Sequence, residues 1–377
     1  MPAVYDVAII GLGAMGSAAA YHCARRGWKV LGLDQFTPPH SHGSSHGQTR
    51  IIREAYFEHP IYVPLVQRAY ELWNELESLT GAKLFQKTGG LMIGAPEGTI
   101  VSGALLSART HGLEHQILST EELRQRFPAL SPTPGTVAVW EPRAGILFPE
   151  QCVAAHLQLA REHGADLVCK EAVLQWEPHS DSIRIVTART EYNARKVLFC
   201  AGSWLSSLVP NLSVPLTLER QILYWFRTGQ PELFEPRTLP VFIWEHSPEK
   251  FFYGFPDLGN GVKVAQHGGG IPTTHDTLQR EVAQEEIRLM QSLLKPFLPG
   301  LTDPVHAETC IYTNTPNSHF LLDFHPGSNR ILLASPCSGH GFKFSSALGE
   351  AMADLLDRGQ SKLDLSLFRL AAFASAT

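Results

Sequence analysis

A glycine-rich turn near the start of the chain most constrains its fold. An apolar run rich in β-branched residues, Val4 to Ile10, leads directly into the pattern G-x-G-x-x-G at Gly11 to Gly16. A helix-forming stretch follows, and a second apolar run, Lys29 to Leu33, ends in Asp34. This order of strand, glycine turn, helix, strand and acidic end is typical of units that bind dinucleotides. The sequence predicts a Rossmann-type α/β domain; an ordinary βαβ unit is the alternative.

Each residue of this unit has a distinct expected role. Gly11 allows the tight turn, Gly13 lets a pyrophosphate approach the backbone, and Gly16 lets the helix pack closely on the strand. The carboxylate of Asp34 would accept hydrogen bonds from a ribose hydroxyl. The motif does not distinguish NAD from FAD. The expected cofactor contacts of this unit are Gly11, Gly13, Ala14, Met15, Gly16 and Asp34.

Length and composition narrow the class of protein. A chain of 377 residues exceeds the roughly 250–300 residues that one core usually holds, so two domains are expected. A net charge of −5 without a basic block argues against a nucleic-acid partner. No apolar run approaches the ~18 residues of a membrane span, and no leader pattern precedes Val4. The six cysteines are scattered without a C-x-x-C pair, which favours a reducing cytoplasm over disulfides or zinc.

The stretch after Asp34 is polar and rich in glycine and serine. Thr37 to Arg53 looks too irregular for a helix or strand, and we predict a loop that lies along a cofactor. Its three histidines (His40, His42 and His46) would suggest a metal, but no carboxylate or cysteine stands at ligand spacing among them. We therefore expect cofactor or loop contacts and no metal site.

Two further features carry positive charge. Arg50 and Arg53 stand three residues apart, and guanidinium groups bind carboxylates with two hydrogen bonds; surface ion pairs are the alternative. A second glycine turn, Ser335 to Ser346, lies between an apolar strand candidate and a helix candidate. Its helix N-terminus favours an electron-rich ligand, and Lys343 adds a cation; a solvated lysine is the alternative.

These segments resemble a known family. Gly11 to Gly16, Asp34 and especially Ser45 to Arg53 (S-H-G-Q-T-R-I-I-R) are similar to the monomeric sarcosine oxidase and N-methyltryptophan oxidase group. That group of flavin amine oxidases belongs to the D-amino-acid-oxidase-like superfamily. Glu308 to Pro316 (E-T-C-I-Y-T-N-T-P) and Ser338 to Phe344 (S-G-H-G-F-K-F) also match, in order along the chain. The resemblance extends from Val4 to about Phe368 and implies FAD as the cofactor.

The resemblance also implies two domains that interleave in sequence, because a strand ending at Phe199 returns to the dinucleotide sheet. The first is a Rossmann-type FAD-binding domain. The second is an α+β substrate domain on a mixed or antiparallel sheet. The expected FAD-binding segments are 1–82, 145–215 and 316–377, and the expected substrate-domain segments are 83–144 and 216–315.

Four residues are expected to be catalytic by this resemblance. Lys263 interrupts an apolar strand, which on spacing alone favours a chance solvent-facing lysine. The family instead has a lysine over the flavin, four residues before a histidine. A fixed cation there would activate oxygen by stabilising superoxide as it forms. His267 and Tyr253 would line the substrate pocket, and Arg50 would lie on the other face of the flavin.

The remaining site residues follow from the same resemblance. Cys310 would join the flavin as a thioether, although a free buried cysteine is the alternative and Cys337 is a rival. Arg53 and Lys343 would bind the substrate carboxylate, with Tyr312 beside it. Further cofactor contacts are expected from Ser44, His46, Thr49, Arg50, Gly339, His340, Gly341 and Lys343.

The predicted function is oxidation of a secondary, N-methyl amino acid to a primary amino acid, formaldehyde and hydrogen peroxide. The resemblance implies a monomer that acts on a small-molecule secondary amino acid and oxygen, and the scattered cysteines favour the cytoplasm. Oxidation of cyclic imino acids or other secondary amines is an alternative. Others are an FAD dehydrogenase that passes electrons to a carrier, a non-catalytic dinucleotide sensor and an NAD dehydrogenase. The expected carboxylate-binding pair argues against a sensor, and a peroxide assay distinguishes an oxidase from a dehydrogenase.

Overall fold

The computed structural model describes residues 4–373 and forms a mixed α/β fold in that part of the chain. Its helices are α1 (Ala14–Ala24), α2 (Tyr62–Thr80), α3 (Thr99–His111), α4 (Thr120–Arg126), α5 (Pro149–Glu162), α6 (Leu205–Leu208), α7 (Pro231–Phe234), α8 (Gln284–Leu294) and α9 (Ser345–Arg358). The first ten strands are β1 (Val4–Ile10), β2 (Val30–Asp34), β3 (Arg50–Ile52), β4 (Phe85–Lys87), β5 (Gly90–Gly94), β6 (Gln116–Leu118), β7 (Val137–Glu141), β8 (Gly145–Leu147), β9 (Asp166–Cys169) and β10 (Val173–Pro178). The others are β11 (Ile183–Thr187), β12 (Glu191–Phe199), β13 (Thr217–Thr228), β14 (Val241–Ser247), β15 (Lys250–Gly254), β16 (Val262–His267), β17 (Ile271–Thr273), β18 (Leu301–Asn314), β19 (Leu321–His325) and β20 (Ser328–Ser335).

An eight-stranded sheet carries both glycine turns. Its strand order is β10-β11-β12-β1-β2-β9, with β20 parallel to the end of β12 and β19 beside β20. The strands β1, β2, β9, β12 and β20 are parallel, and helices α1, α5 and α9 pack together beside them. The apolar runs in β1, β2 and β20 follow from this cover, since parallel strands are buried on their faces. The predicted Rossmann-type fold is confirmed.

A second, nine-stranded sheet is mostly antiparallel. Its order is β17-β13-β16-β15-β14-β5-β7-β6, and the long strand β18 pairs with β13. Only β5 and β14 are parallel among the pairs recorded for this sheet. Its strands place Tyr253 opposite Ala265 and Cys310 opposite Gln221, so residues distant in sequence reach one sheet. This is the mixed sheet expected for the second domain.

A small sheet corrects one expectation. Residues Arg50–Ile52 form strand β3, which pairs with β8, and β8 also pairs with β4. The prediction that all of Thr37 to Arg53 is loop is therefore wrong at its end. The partner, Gly145–Leu147, lies far along the chain, and this tertiary pairing was not visible in the local sequence.

Two helix ends carry sequence signals of their own. Ser119 and Glu122 form the capping box that begins α4, and Gly81 ends α2 with a left-handed φ of 69°.

All strands of the eight-stranded sheet lie within 1–82, 145–215 and 316–377, and those of the nine-stranded sheet lie within 83–144 and 216–315. We propose this division as the domain structure, apart from residues 1–3 and 374–377, which lie outside the described residues. Among residues 4–373, no helix has the length and apolar character to cross a membrane.

Candidate active site

One cavity of about 450 Å³ lies between the two large sheets and is lined from both. It extends from the first glycine turn to the second. Most of the residues expected at the site line it, whereas Gly16, His46, Thr49 and Lys263 stand behind its wall. The expected residues on the wall are Gly11, Gly13, Ala14, Met15, Asp34, Ser44, Arg50, Arg53, Tyr253, His267, Cys310, Tyr312, Gly339, His340, Gly341 and Lys343.

The first glycine turn forms one end of the cavity. A Cβ on Gly16 would lie 1.8 Å from the Gly11 carbonyl oxygen, so only glycine allows α1 to pack this closely on the turn. Asp34 accepts hydrogen bonds from the backbone N–H groups of Leu12 and Phe36, both at 2.8 Å. Its carboxylate thus shapes the turn. Four lone-pair positions on a carboxylate leave capacity for a ribose hydroxyl as well.

The second glycine turn forms the opposite end. A Cβ on Gly341 would lie 1.7 Å from the Pro336 carbonyl oxygen, so the turn requires glycine there. The turn leads through a short 3₁₀ segment, Phe342–Phe344, into α9. Trp73 of α2 donates its indole N–H to the Lys343 carbonyl at 3.0 Å and fixes this segment.

Lys343 and Arg53 bring two buried cations to this end. Lys343 Nζ donates to the His340 carbonyl at 3.0 Å and lies 3.4 Å from Tyr56 Oη. Burial, and then the nearby Arg53 charge, lower the pKa of Lys343 to about 7. Arg53 is only 2% exposed, and its guanidinium carbon lies 4.2 Å from the Tyr56 ring centroid. The expected pairing of Arg53 and Lys343 in one cavity is therefore present in the geometry.

Glu58 is a charged residue of the cavity that the sequence reasoning missed. Its Oε2 accepts from Arg53 Nη2 at 2.6 Å. Burial alone would raise the pKa of Glu58, but Arg53, His340 and Lys343 outweigh burial and lower it to about 2. A carboxylate of the protein thus already engages the arginine. A lone glutamate five residues after an arginine is too common a pattern to have indicated this.

Tyr56 was also missed, and it connects Lys343 with His340. Tyr56 Oη lies 2.6 Å from His340 Nδ1, and His340 Nε2 lies 2.9 Å from the Ser318 carbonyl oxygen. The carbonyl requires a donor, so Nε2 carries the proton and Nδ1 accepts from the tyrosine. Burial lowers the pKa of His340 to about 3, which keeps this imidazole neutral.

Three further lining residues are polar and uncharged. Burial lowers the pKa of His267 to about 4, so its imidazole is neutral near pH 7. Burial also raises the pKa values of Tyr253 and Tyr312, so both phenols stay protonated. A ligand in the cavity would therefore meet neutral hydrogen-bonding groups as well as the two cations.

Lys263 is not a solvent-facing strand lysine. It is 1% exposed, and its Nζ donates to the Gly47 carbonyl at 2.5 Å and to the carbonyl and hydroxyl oxygens of Thr49 at 3.0 and 3.1 Å. Burial, and then Arg50, lower its pKa. Three acceptors for the three N–H bonds favour the ammonium against the effect of burial. Arg50 donates to the carbonyls of Thr49 and Ser44, both at 2.8 Å, so both cations order this loop.

Cys310 and Cys337 differ in the chemistry of their thiols. Burial raises the pKa of the Cys337 thiol to about 11, and it acts in the same direction at Cys310. At Cys310, interactions with His46 and Arg50 outweigh burial and lower the pKa below its usual value. His46 has a pKa of about 9, because its contacts with Cys310 and Glu308 outweigh the lowering effect of burial. Since the thiolate is the nucleophile, Cys310 is the more reactive of the two.

Residues 6–355 match the model of the family described as FAD dependent oxidoreductase, DAO. The chain belongs to this family. It is 44% identical to the monomeric sarcosine oxidase of Streptomyces avermitilis, over 99% of both chains. It is 35% identical to the N-methyl-L-tryptophan oxidase of Yersinia pestis, over 98% of this chain and 99% of that one. The structure of L-proline dehydrogenase from P. horikoshii superposes with a TM-score of 0.87 over 100% and 99% of the chains. At 20% identity, that likeness concerns the fold alone.

The geometry fits the FAD of this family. The first glycine turn, the Asp34 carboxylate and the second glycine turn lie along one continuous cavity. Within the described residues, we find no cluster of three or more His, Cys, Asp or Glu side chains that could hold a metal ion. Gly11, Gly13 and Asp34 would hold the adenosine and pyrophosphate portions. The second turn and Cys310 would face the flavin portion.

Proposed function

We propose that this protein is an FAD-dependent oxidase of N-methyl amino acids. The reaction consumes the N-methyl amino acid, oxygen and water, and it yields the primary amino acid, formaldehyde and hydrogen peroxide. The observation that carries the proposal is the pair of buried cations, Arg53 and Lys343, on the wall of a cavity that also holds Cys310. The names of the two curated relatives, at 44% and 35% identity, support the same substrate class.

The cations would bind the substrate carboxylate. Lys343 offers its ammonium directly, whereas Arg53 would exchange its 2.6 Å contact with Glu58 for the substrate. Because bidentate guanidinium–carboxylate pairs fix orientation, this binding would set the position of the N-methyl group. Bound FAD supplies the two-electron oxidation of the N-methyl C–H bond.

The same charges would help to deprotonate the substrate amine. An ammonium near Arg53 and Lys343 is disfavoured, so its pKa falls on binding. The neutral amine has the free electron pair that formation of the imine requires. His267 and Tyr253 would accept or donate hydrogen bonds at the amine without adding charge, because both are neutral near pH 7. Water then releases formaldehyde from the imine.

We propose that Lys263 and Arg50 serve the reaction with oxygen. Lys263 is buried and Arg50 is half-buried, and both contact the loop at Gly47 to Thr49 close to the cavity wall. Charge that develops on oxygen is stabilised by a cation that is already fixed in place. Lys263 stands behind the wall, so we assign it an electrostatic role.

We also propose that the flavin is joined covalently to Cys310. The lowered pKa of this thiol supports a thiolate nucleophile, and Cys337 lacks that property. Acid-denatured protein should retain its yellow colour, and the Cys310→Ala variant should release free FAD on the same treatment. Release of all FAD by the wild-type protein would contradict the attachment, whereas retention in Cys310→Ala would point to Cys337.

We propose a monomer in the cytoplasm. All six cysteines are free in the structure, which suits a reducing compartment, and the Streptomyces avermitilis relative is named monomeric. Light scattering of the purified protein should give the mass of one chain, 41.6 kDa. A mass of two or more chains would contradict this part of the proposal.

A substrate screen in air tests the proposed activity. Sarcosine, N-methylalanine and N-methyltryptophan should yield formaldehyde and hydrogen peroxide in equal amounts. Peroxide from proline without formaldehyde would instead indicate an oxidase of cyclic imino acids. Anaerobic bleaching of the flavin without peroxide formation in air would indicate a dehydrogenase. No bleaching by any amine would leave a dinucleotide sensor.

A further inference from the structure

The segment after strand β3 presents Arg53 to the cavity without forming a helix or strand. Residues 53–56 are all buried, so their backbone N–H groups need hydrogen-bond partners within the protein. Strand pairing does not supply these hydrogen-bond partners, because β3 ends at Ile52. The partner of this segment determines where the Arg53 guanidinium points.

Glu141, the last residue of β7, supplies that partner. One carboxylate oxygen accepts from the Glu54 backbone N–H and the other from the Ala55 backbone N–H, both at 2.7 Å. Glu141 is 1% exposed and does not line the cavity. It therefore acts on the cavity only through the segment that it holds.

Ala55 connects this carboxylate to the arginine. Its N–H is held by Glu141, and its carbonyl accepts from Arg53 Nη1 at 2.9 Å. Arg53 Nε has no hydrogen-bond partner among residues 4–373. The position of the guanidinium thus depends on Ala55, on Glu58 and on the rings of Tyr56 and Phe57, which lie 4.2 and 4.5 Å from it. Of these groups, Ala55 is the one whose N–H Glu141 holds.

The environment of Glu141 disfavours a charged side chain, so filling space does not explain why a carboxylate is buried there. Burial raises its pKa to about 7; the two backbone N–H groups and Arg53 oppose this, and Glu54 adds to it. Glu54 pairs with Arg143 at 3.1 Å, and the Tyr70 phenol, which donates to the Arg143 carbonyl at 3.0 Å, is close to both glutamates. Burying a carboxylate costs free energy unless hydrogen bonds satisfy its oxygens. Here both oxygens accept hydrogen bonds from the segment that carries Arg53.

We propose that Glu141 is a positioning residue for carboxylate recognition: it fixes Ala55 so that Arg53 faces the substrate carboxylate. This inference rests on the proposed function, in which Arg53 binds that carboxylate. It adds a residue outside the cavity to the determinants of substrate affinity.

The test uses Glu141→Gln in the flavin-loaded enzyme. The amide has nearly the same shape, but its NH2 group opposes one of the two backbone N–H donors. Methoxyacetate, which has the carboxylate and no oxidisable amine, is titrated against the flavin absorbance. We expect its Kd to rise about tenfold, since a buried donor loses its partner. The kcat/KM for sarcosine should fall by a similar factor, while that for N-methylethylamine, which lacks a carboxylate, should stay within twofold.

Two further variants make the result specific. Glu77→Gln removes a carboxylate that also bonds two backbone amides, those of Leu84 and Phe85, away from the cavity. Its Kd for methoxyacetate should stay within twofold of wild type. Arg53→Gln should raise the Kd at least as much as Glu141→Gln. If Glu141→Gln does not fold, Glu141→Asp, which reaches only one amide, takes its place with the same expectation.

The outcomes separate the two proposals. A large effect of Arg53→Gln with no effect of the Glu141 variant would overturn the positioning role and leave the proposed function intact. No effect of Arg53→Gln would overturn the role of Arg53 in the proposed function, and the inference with it. Equal losses for sarcosine and N-methylethylamine would show that Glu141 only maintains the fold.

Discussion

We expect the charge of Lys343 to control carboxylate affinity in the range of pH where the enzyme would work. Its pKa is lowered to about 7, first by burial and then by Arg53, so the free enzyme loses this cation as pH rises above 7. A bound carboxylate favours the ammonium, so binding above pH 7 takes up a proton. The Kd of methoxyacetate should therefore rise by up to about tenfold per pH unit above pH 7.

Titrations of flavin absorbance from pH 5.5 to 9 measure this dependence. Glu58 and His267, with pKa values of about 2 and 4, do not titrate in that range. Glu141, with a pKa of about 7, gains its proton below pH 7 and so does not account for a loss of affinity above it. Lys343→Met should raise the Kd at pH 6 and abolish the slope above pH 7. A slope that persists in Lys343→Met would assign the dependence to another group.

Lys263 is expected to act on oxygen and not on the amine. Lys263→Met keeps the length of the side chain and removes the cation, so we expect reoxidation of the reduced enzyme by oxygen to slow about 10²-fold. Anaerobic reduction by sarcosine should change much less. Stopped-flow measurements of the two half-reactions test this. Thr49→Val, which removes one of the three acceptors of Lys263 but retains its charge, is the matched control. Equal losses in both half-reactions would contradict the role.

The sequence made some of these residues predictable and others not. Cys310 and Lys343 lie in motifs whose neighbours along the chain identify them. Glu58 and Glu141 have no such signal, because their roles arise from the groups that face them across the fold. Glu58 matters because Arg53 lies 2.6 Å away, and Glu141 matters because two amides of a distant loop point at it.

Among the secondary-structure elements, the turn before α9 depends strongly on a glycine, Gly341. Gly341 lies against the Pro336 carbonyl, and backbone atoms cannot move aside as a flexible side chain can. Gly341→Ala should destabilise the protein by about 1–3 kcal/mol and reduce its flavin content, because the turn must shift with His340 and Lys343. Urea unfolding and the ratio of flavin to protein absorbance measure both effects.

Gly229→Ala is the matched control for this glycine. Its nearest neighbour would be a Thr302 methyl group at 4.0 Å, so the added Cβ has room. We expect a change within about 0.5 kcal/mol and normal flavin content. Full stability of Gly341→Ala would mean that the turn relaxes without strain and that its glycine is not required.

Elements bounded by local signals were predictable, and elements made by distant pairing were not. The capping box at Ser119 and the β-branched run of strand Ile183–Thr187 carry such local signals. Strand β3 lies in a segment that the sequence predicts to be loop, because its three residues have no strand pattern of their own. Its hydrogen bonds come from β8, so only the folded chain defines it.

At the scale of the whole molecule, a segment of the second sheet crosses to the first. The segment between β17 and α8 stacks His275 on Trp204, with ring centroids 4.2 Å apart and planes 11° apart. Arg280 donates to the carbonyls of Ser41 and His42, at 3.3 and 3.1 Å. Trp204 lines the cavity near its Asp34 end. We call the edge of the cavity at Trp204, Ser41 and His42 the rim. His275 and Arg280 hold this rim, although no local sequence motif joins these residues.

We expect this rim to slow the release of FAD. In the Cys310→Ala background, where no covalent bond retains the cofactor, Arg280→Ala should speed dissociation about fivefold. That factor corresponds to about 1 kcal/mol, which the two solvent-exposed hydrogen bonds of Arg280 can supply together. Free FAD fluoresces more strongly than bound FAD, so dilution into buffer with fluorescence detection gives the rate. Arg288→Ala, which removes an exposed arginine of α8 that pairs with Glu285, should leave the rate unchanged. Equal rates for the two variants would mean that FAD leaves without opening this rim.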